Sequence, residues 1–332
     1  MDVLSDVLSA VRLTGAIFFE WRLREPWVGE SPPTGLVASR VMPEAEHVIA
    51  FHVLLEGTCW MSLPTTNSCV RLLAGDVIIM PSGEIGVASS APGMRAEEVD
   101  LAIYDRPTDR PLPVVMKMAV GGPPTCRLVC GFLGCDARPF NPLLAALPPI
   151  MHAPLSEASR GWISSMFRMA AEETELGSPG GEAMLARLAE LMFVEVLRKY
   201  IDQLPDDSRG WLSALRDHKV GQAMRLIHGQ PARAWTIDAL AREVGLSRSV
   251  FAHRFTNYVG ASPMHYLGRW RMQLAARRLE TPGVSVAQVG AEFGYESEAA
   301  FNRAFKKFVG TPPGTWRKAR EAPGAINALP PQ

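Results

Sequence analysis

Residues 236–267 read TIDALAREVGLSRSVFAHRFTNYVGASPMHYL, and residues 285–317 read SVAQVGAEFGYESEAAFNRAFKKFVGTPPGTWR. The second stretch repeats the first. Ile237, Ala241, Val244 and Gly245 match Val286, Gly290, Phe293 and Gly294 at an offset of 49 residues. Phe251, Phe255, Val259, Gly260 and Pro263 match Phe301, Phe305, Val309, Gly310 and Pro313 at an offset of 50, so the later copy has one extra residue after its turn. In the earlier copy Leu240, Val244 and Leu246 are apolar at helical spacing and meet Gly245, which takes a left-handed turn at no steric cost. Ser247 then reads as the N-cap of a helix over 248–256 that turns Phe251 and Phe255 inward. In the later copy Gly294 makes the turn, Ser297 is the cap, and a helix over 298–308 buries Phe301, Phe305 and Phe308. Ala241 and Gly290 are small where the paired helices cross. An ordinary helical bundle also carries Phe stripes, but chance rarely repeats a small residue, a turn glycine and an aromatic pair in register.

Charge points the same way. The chain has 34 Lys and Arg against 34 Asp and Glu, yet residues 221–320 hold 15 against 6. A basic C-terminal third suits a polyanion, and phosphate contacts make such binding salt-dependent. Arg254, Arg269, Arg271, Arg277, Arg278, Lys306, Lys307, Arg317 and Lys318 flank the two motifs. Helix pairs of this kind set their second helix in the major groove of double-stranded DNA.

The run GYESEAAFNRAFKKFVGTPPGTWR, residues 294–317, resembles the C-terminal signature of the AraC/XylS family of bacterial transcription regulators, and the likeness extends over about 211–320. It implies a seven-helix DNA-binding domain with two helix-turn-helix units joined by a long central helix, here about 263–281. Matched to the family's reading positions, Ser249, Ala252 and His253 on the first recognition helix and Glu298, Ala299, Asn302 and Arg303 on the second are the implied base readers. Arg248, Arg254, Arg269, Lys306 and Lys307 are the implied phosphate contacts. Arginine can bond guanine bidentately, asparagine adenine, and glutamate a cytosine amine. Glu298 also reads as a carboxylate favoured by the helix N-terminus.

The first 150 residues read as β-rich after one short helix at about 2–11. GAIFFEWRL, IAFHVLLEGTCWMSL, CVRLLAGDVIIMPSG, AEEVDLAIYD and TCRLVCGFLG are the strand candidates, and AGD, PSG and APG punctuate them. This pattern, with FHVLLEGTCWMSL and VRLLAGDVIIMPSGE, resembles the cupin-type barrel fused to some AraC-family regulators. Cupins often hold a metal through histidines. His52 stands where a first-motif histidine belongs, with Glu56 four residues on, but beyond Pro81 and Gly83 the chain reads Glu84, Ile85, Gly86, Val87. His52 and Glu56 alone are an incomplete ligand set, so no metal and no required cofactor are expected.

The five cysteines give a second sensing hypothesis. Cys59 and Cys69 lie on neighbouring strand candidates and are expected to face each other, and Cys130 and Cys135 lie in a cluster with Cys126. They are candidates for a redox switch, with inert core cysteine as the bland alternative.

Residues 157–175 read as an amphipathic helix with Trp162, Met166 and Met169 at helical spacing. SPGG breaks it, and 182–201 is a second helix with a broad apolar face including Leu185, Leu188, Leu191, Met192 and Val196. The expected organisation is α+β and multidomain. It comprises a cupin-like sensor at 1–150, a helical dimerisation segment at 151–204, an all-α tandem helix-turn-helix domain at 211–320, and a disordered tail at 321–332. The N-terminus lacks a basic leader and no apolar run spans a membrane, so a cytoplasmic homodimer is expected. Its expected partners are promoter DNA, an unknown small effector and, for an activator, RNA polymerase. A metal-dependent cupin enzyme fused to a DNA-binding domain, and a non-specific DNA-organising protein, are the competing classes.

Overall fold

The computed structural model describes residues 2–64, 68–105, 112–118, 122–152 and 155–321. All but the first residue of the expected tail therefore lies outside the described residues. Helix α1 (Val3–Ala10) precedes strands β1 (Thr14–Leu23) and β2 (Val28–Ser31). Helix α2 (Thr34–Val41) leads into β3 (His47–Glu56), β4 (Thr58–Leu63), β5 (Ser68–Leu73), β6 (Val77–Met80) and β7 (Gly86–Ser89). Then come β8 (Val114–Met118), β9 (Cys126–Cys135), and the long helices α3 (Glu157–Glu175) and α4 (Gly181–Asp202). The C-terminal helices are α5 (Trp211–Arg216), α6 (His218–Gly229), α7 (Ile237–Glu243), α8 (Arg248–Val259), α9 (Pro263–Leu279), α10 (Val286–Glu292), α11 (Glu298–Val309) and α12 (Pro313–Glu321). These are one more than the expected seven, because extended Asp217 ends α5 and its side chain caps α6.

Contacts divide the chain into two compact units. One comprises residues 13–135 and 147–203; the other comprises residues 1–12, 136–146 and 204–332. The second grouping departs from the linear boundaries expected from sequence: α1 and the segment after β9 pack with the C-terminal helices.

In the β-rich unit the strands form a five-stranded sheet, ordered β6-β3-β9-β1-β8, and a four-stranded sheet, ordered β2-β7-β4-β5. All neighbours are antiparallel except β1 and β8. Strand β3 is buried along nearly its whole length, which explains the unbroken apolar run around His52. Helix α4 lies close on β1 because residue 15 is glycine: a Cβ there would stand 2.4 Å from the Ala186 carbonyl and 2.9 Å from Ala189 Cβ. Beneath the helices, buried Glu20 accepts from Arg22 (2.8 Å) and Arg127 (2.8 Å). Burial pushes the Glu20 carboxyl up, but these two guanidiniums outweigh it and leave it below the usual range. AEEVDLAIYD, expected as a strand, instead ends in a 3-10 turn at Leu101–Tyr104, capped by Asp100.

In α3 the buried face is Ile163, Phe167, Ala170, Ala171 and Thr174, while Trp162 and Met169 are exposed. The stripe singled out from sequence thus lies mostly on the outer side. Leu191 of α4 is exposed as well.

Candidate functional site

The tandem motifs form as their sequence dictates. Gly245 and Gly294 both adopt positive φ, 68° and 82°, and Gly260 and Gly310 end the recognition helices at 74° and 84°. Ser247 accepts from the Val250 N–H (3.4 Å) and Ser297 from the Ala300 N–H (3.2 Å), so both expected caps are in place. Phe251 and Phe255 in α8, and Phe301 and Phe305 in α11, are fully buried, each pair edge to face. Gly290 permits the second crossing, since a Cβ there would meet Phe301 Cβ at 2.9 Å. Phe308 departs from the expected stripe: it is half-buried, over Gly268 of α9.

The outward faces of α8 and α11 differ. On α11, Glu298, Ala299 and Arg303 are exposed, and Lys306 and Lys307 are exposed in the last turn. The side chains of Arg303, Lys306 and Lys307 make no hydrogen bond or ion pair among the described residues, so their charge is unspent. Asn302 donates to the Glu298 carbonyl (2.9 Å), which fixes its amide on its own helix. On α8, Ser249 and His253 are exposed, Ala252 is half-buried, and His253 Nε2 lies 2.9 Å from Asn257 Nδ2.

Three of the implied phosphate contacts are already engaged. Arg248 pairs with Asp238 (3.2 Å). Arg254 pairs with Asp217 (2.5 Å), whose carboxyl is otherwise pushed up by burial but is held low by this guanidinium and by the α6 backbone. Arg269 lies over the Phe140 ring, 4.2 Å from its centroid, and burial lowers its pKa. Its half-buried place against Phe140 fits a packing role better than a phosphate contact. Sequence reasoning missed Val250, an apolar side chain 52% exposed on the recognition helix, where a thymine methyl offers a partner. It also missed Arg209, which reaches over the Tyr258 ring (5.0 Å) into the groove lined by Ser249, His253 and Asn257.

Central helix α9 carries a second set of contacts. Gln273, fully buried, donates to the Ala10 carbonyl (3.0 Å) and accepts from the Phe140 N–H (2.9 Å). Arg277 donates to the Ser9 carbonyl. Arg12 forms a bidentate pair with Asp136 (2.7 and 2.9 Å) and also bonds Glu280 (2.7 Å). His228 is sandwiched nearby, stacked on Trp270 at 4.0 Å, and burial holds its pKa down to about 3.

The β-rich unit contains a cavity of about 210 Å³ between its sheets. His52 is fully buried in its wall, with Nδ1 2.8 Å from Cys130 Sγ and Nε2 3.4 Å from Ser31 Oγ; burial lowers its pKa to about 4. Glu56 is half-exposed and paired with Arg127 (3.0 Å), so it does not join His52. Among the described residues no three His, Cys, Asp or Glu side chains converge as a metal site. The expectation that Cys59 and Cys69 face each other is wrong. The β4–β5 register sets Cys59 opposite Leu72 and Cys69 opposite Ser62, leaving Cys59 buried and Cys69 exposed. Cys59 is hydrogen-bonded to Cys126 instead, and that contact, with burial, pushes its thiol far up. Burial does the same to Cys130, and Cys135 is buried too.

Residues 2–202 match a family described as Cupin, and residues 240–319 one described as Helix-turn-helix domain. An AraC-like transcription regulator of Streptomyces lividans is 31% identical over 277 residues, covering 83% of this chain and 88% of the relative. This chain belongs to the AraC family of transcription regulators. The HTH-type transcriptional regulator AlkR of Acinetobacter baylyi is 27% identical, covering 96% of this AraC-family chain and 99% of the relative. Among solved structures, a transcriptional regulator with an AraC-type DNA-binding domain from Chromobacterium violaceum is 26% identical. It covers 32% of this chain and 94% of its own, at a TM-score of 0.30. The curated relatives are transcription regulators, not enzymes. DNA binding in this AraC-family protein belongs to its helix-turn-helix domain. Among the described residues no helix is long and apolar enough to cross a membrane.

Proposed function

We propose that this AraC-family regulator recognises one promoter sequence with both recognition helices and is switched by a small effector held in the cupin cavity. The observation that carries the reading is the path of the chain to α9. Strands β1 and β9 wall the cavity and pair with each other from Thr14↔Gly134 to Leu23↔Cys126. Just past the first of those pairs, the chain on one side is Arg12 and on the other Asp136, the two residues bonded to each other beside α9. A ligand that altered the β1–β9 pair would therefore move Arg12 and Asp136 through covalent bonds, and α9 through the Arg12–Glu280 ion pair and the hydrogen bonds of Gln273. Because α9 separates the two motifs, its support affects how both helices reach DNA. Such a switch requires the ligand to bind two states with different affinity.

The base contacts are read from the exposed groups. Arg303 on α11 and His253, Ser249 and Val250 on α8 face outward for base edges, with Lys306 and Lys307 for phosphate. Dimerisation through α3 and α4 is part of the reading, supported by the exposed Trp162, Met169 and Leu191. A cytoplasmic setting, and RNA polymerase as partner of an activator, complete it.

The test is selection from random duplexes by the purified full-length protein at physiological salt. The expected motif has two elements about one helical turn apart. Gln273→Ala, which removes a buried support of α9 without touching either recognition helix, should change affinity for the selected duplex while leaving its sequence unaltered. Equal binding of all duplexes would replace this reading with non-specific DNA organisation.

A further inference from the structure

The barrel cavity has an unusual balance of groups. Phe19, Trp21, Trp27, Tyr104 and Phe132 contribute five aromatic rings to its lining, and two acidic residues, half-buried Glu30 and exposed Glu97, line it as well. Among the described residues no Lys or Arg lines it, and neither glutamate is paired with a cation. His52 adds no positive charge, because burial keeps the imidazole neutral down to about pH 4. Trp27 is 5% exposed, lines the cavity, and its indole Nε1–H has no hydrogen-bond partner among the described residues.

These facts select among ligand classes. An anion would meet two carboxylates and no compensating charge. A sugar would bring hydroxyls all round its ring to a lining whose polar side chains, Glu30, Ser31, His52, Glu97, Tyr104 and Trp27, are set among many more apolar ones. A cation is favoured twice, by the glutamates and by the negative faces of the rings. Size narrows the choice further. A cavity of about 210 Å³ exceeds the roughly 150 Å³ of an apolar cavity that accepts benzene.

We infer that the cavity binds a compact organic cation, an ammonium on an apolar body of roughly ten non-hydrogen atoms, with its charge towards Glu30 and Glu97 and its body among the aromatic rings. Trp27 Nε1–H remains to serve one hydrogen-bond acceptor on that body. This assigns the chemical class of the effector and, for its regulatory consequence, rests on the effector-gated reading above.

The experiment uses full-length protein, with binding read from intrinsic tryptophan fluorescence. The probes are benzyltrimethylammonium, its neutral carbon isostere neopentylbenzene, and phenylacetate. The cation should bind at least tenfold tighter than the isostere, with an advantage that shrinks as salt rises, and phenylacetate should bind weakest. The double variant Glu30→Gln and Glu97→Gln should abolish the cation's advantage while leaving neopentylbenzene binding unchanged, which also shows that the cavity still forms. Equal binding of cation and isostere, tighter phenylacetate binding, or no binding of any probe would overturn the assignment. Affinity for the selected duplex is then measured with and without the cation. A change upholds the effector role; cation binding with no change keeps the cavity assignment and overturns the gating.

Discussion

The two turn glycines of the tandem motifs offer an internally controlled perturbation. Gly245 and Gly294 occupy matching positions with similar left-handed backbones, yet their surroundings differ. A Cβ on Gly245 would meet only Lys219 Nζ at 3.5 Å, whereas a Cβ on Gly294 would stand 2.3 Å from the Ala232 carbonyl oxygen in the loop before α7. Alanine in this backbone region costs about 1–2 kcal/mol, partly offset by about 0.4–1 kcal/mol from the stiffer unfolded chain. Gly245→Ala should therefore destabilise by about 1 kcal/mol. Gly294→Ala carries the same term plus a backbone overlap that no side-chain rotation relieves, and overpacking of this kind adds about 1–3 kcal/mol. The expected total is about 3 kcal/mol, a sizeable part of a typical domain's about 5–15 kcal/mol. The difference between the variants, about 2 kcal/mol, corresponds to roughly a 30-fold change in the unfolding equilibrium. Urea unfolding followed by far-ultraviolet circular dichroism reads it directly, provided both variants keep the same denaturant slope. Losses equal within about 0.5 kcal/mol would refute the argument, because they would mean that the loop at Ala232 yields freely and that backbone conformation alone sets the cost.

The remaining expectations concern charge and chemistry. Arg303→Ala should cost about 1–3 kcal/mol on the preferred duplex and relax specificity at one base pair. Lys306→Ala should weaken all duplexes alike and reduce the salt slope by about one; titrations at several salt concentrations separate the two, and an unchanged slope for Lys306→Ala excludes the phosphate contact. Acid should destabilise both units. His52 and His228 are held neutral to about pH 4 and about 3, below the ordinary histidine value of 6.5. Unfolding then takes up a proton at each once pH falls below 6.5. Stability present above 6.5 is lost on acidification at about 1.4 kcal/mol per pH unit per histidine until the folded value is reached. Denaturation midpoints from pH 7.5 to 5 test this, and a flat profile for the His228→Phe and His52→Phe double variant identifies the source. Among the five thiols, Cys69 alone is exposed, so the native protein should react rapidly with one equivalent of a thiol reagent. Fast reaction of further thiols would show that the barrel opens readily.

What was legible in the sequence was mostly local. Turn glycine, serine cap and inward phenylalanine pair lie within a dozen residues of one another, and Ser297, Gly294 and the Phe301–Phe305 pair behave as read. Helix α3 likewise spans Glu157–Glu175, as read, and stops ahead of SPGG. What failed depended on partners distant in sequence. Nothing near Arg254 or Arg269 announces Asp217 or Phe140. Strand register, set across the β4–β5 hairpin, placed Cys59 away from Cys69 and beside Cys126, more than sixty residues on. Helix α2 was missed because its N-cap position is Pro33, which makes no side-chain capping bond. Arg209, which falls between the segments 151–204 and 211–320 bounded from sequence, gained its place from Tyr258.

The chain crosses between its two units more often than a two-module protein needs. It leaves the helical unit after Arg12, revisits it at 136–146, and settles there only from Leu204. In topological terms the β-rich body is an insertion within the helical one, whose own residues include the chain's first helix. A cut at the Pro- and Gly-containing stretch 204–210, the obvious place by composition, severs the last crossing but not the earlier ones. The C-terminal piece it releases would present bare the surface of α9 that Ala10 and Phe140 meet, with Gln273 stripped of both its partners and Tyr266 of its ring contact with Phe140. Chimeras that trade sensors between such regulators must therefore keep the three segments of the helical unit together and exchange only the two of the β-rich one, or inherit a DNA-binding half with an unfinished core.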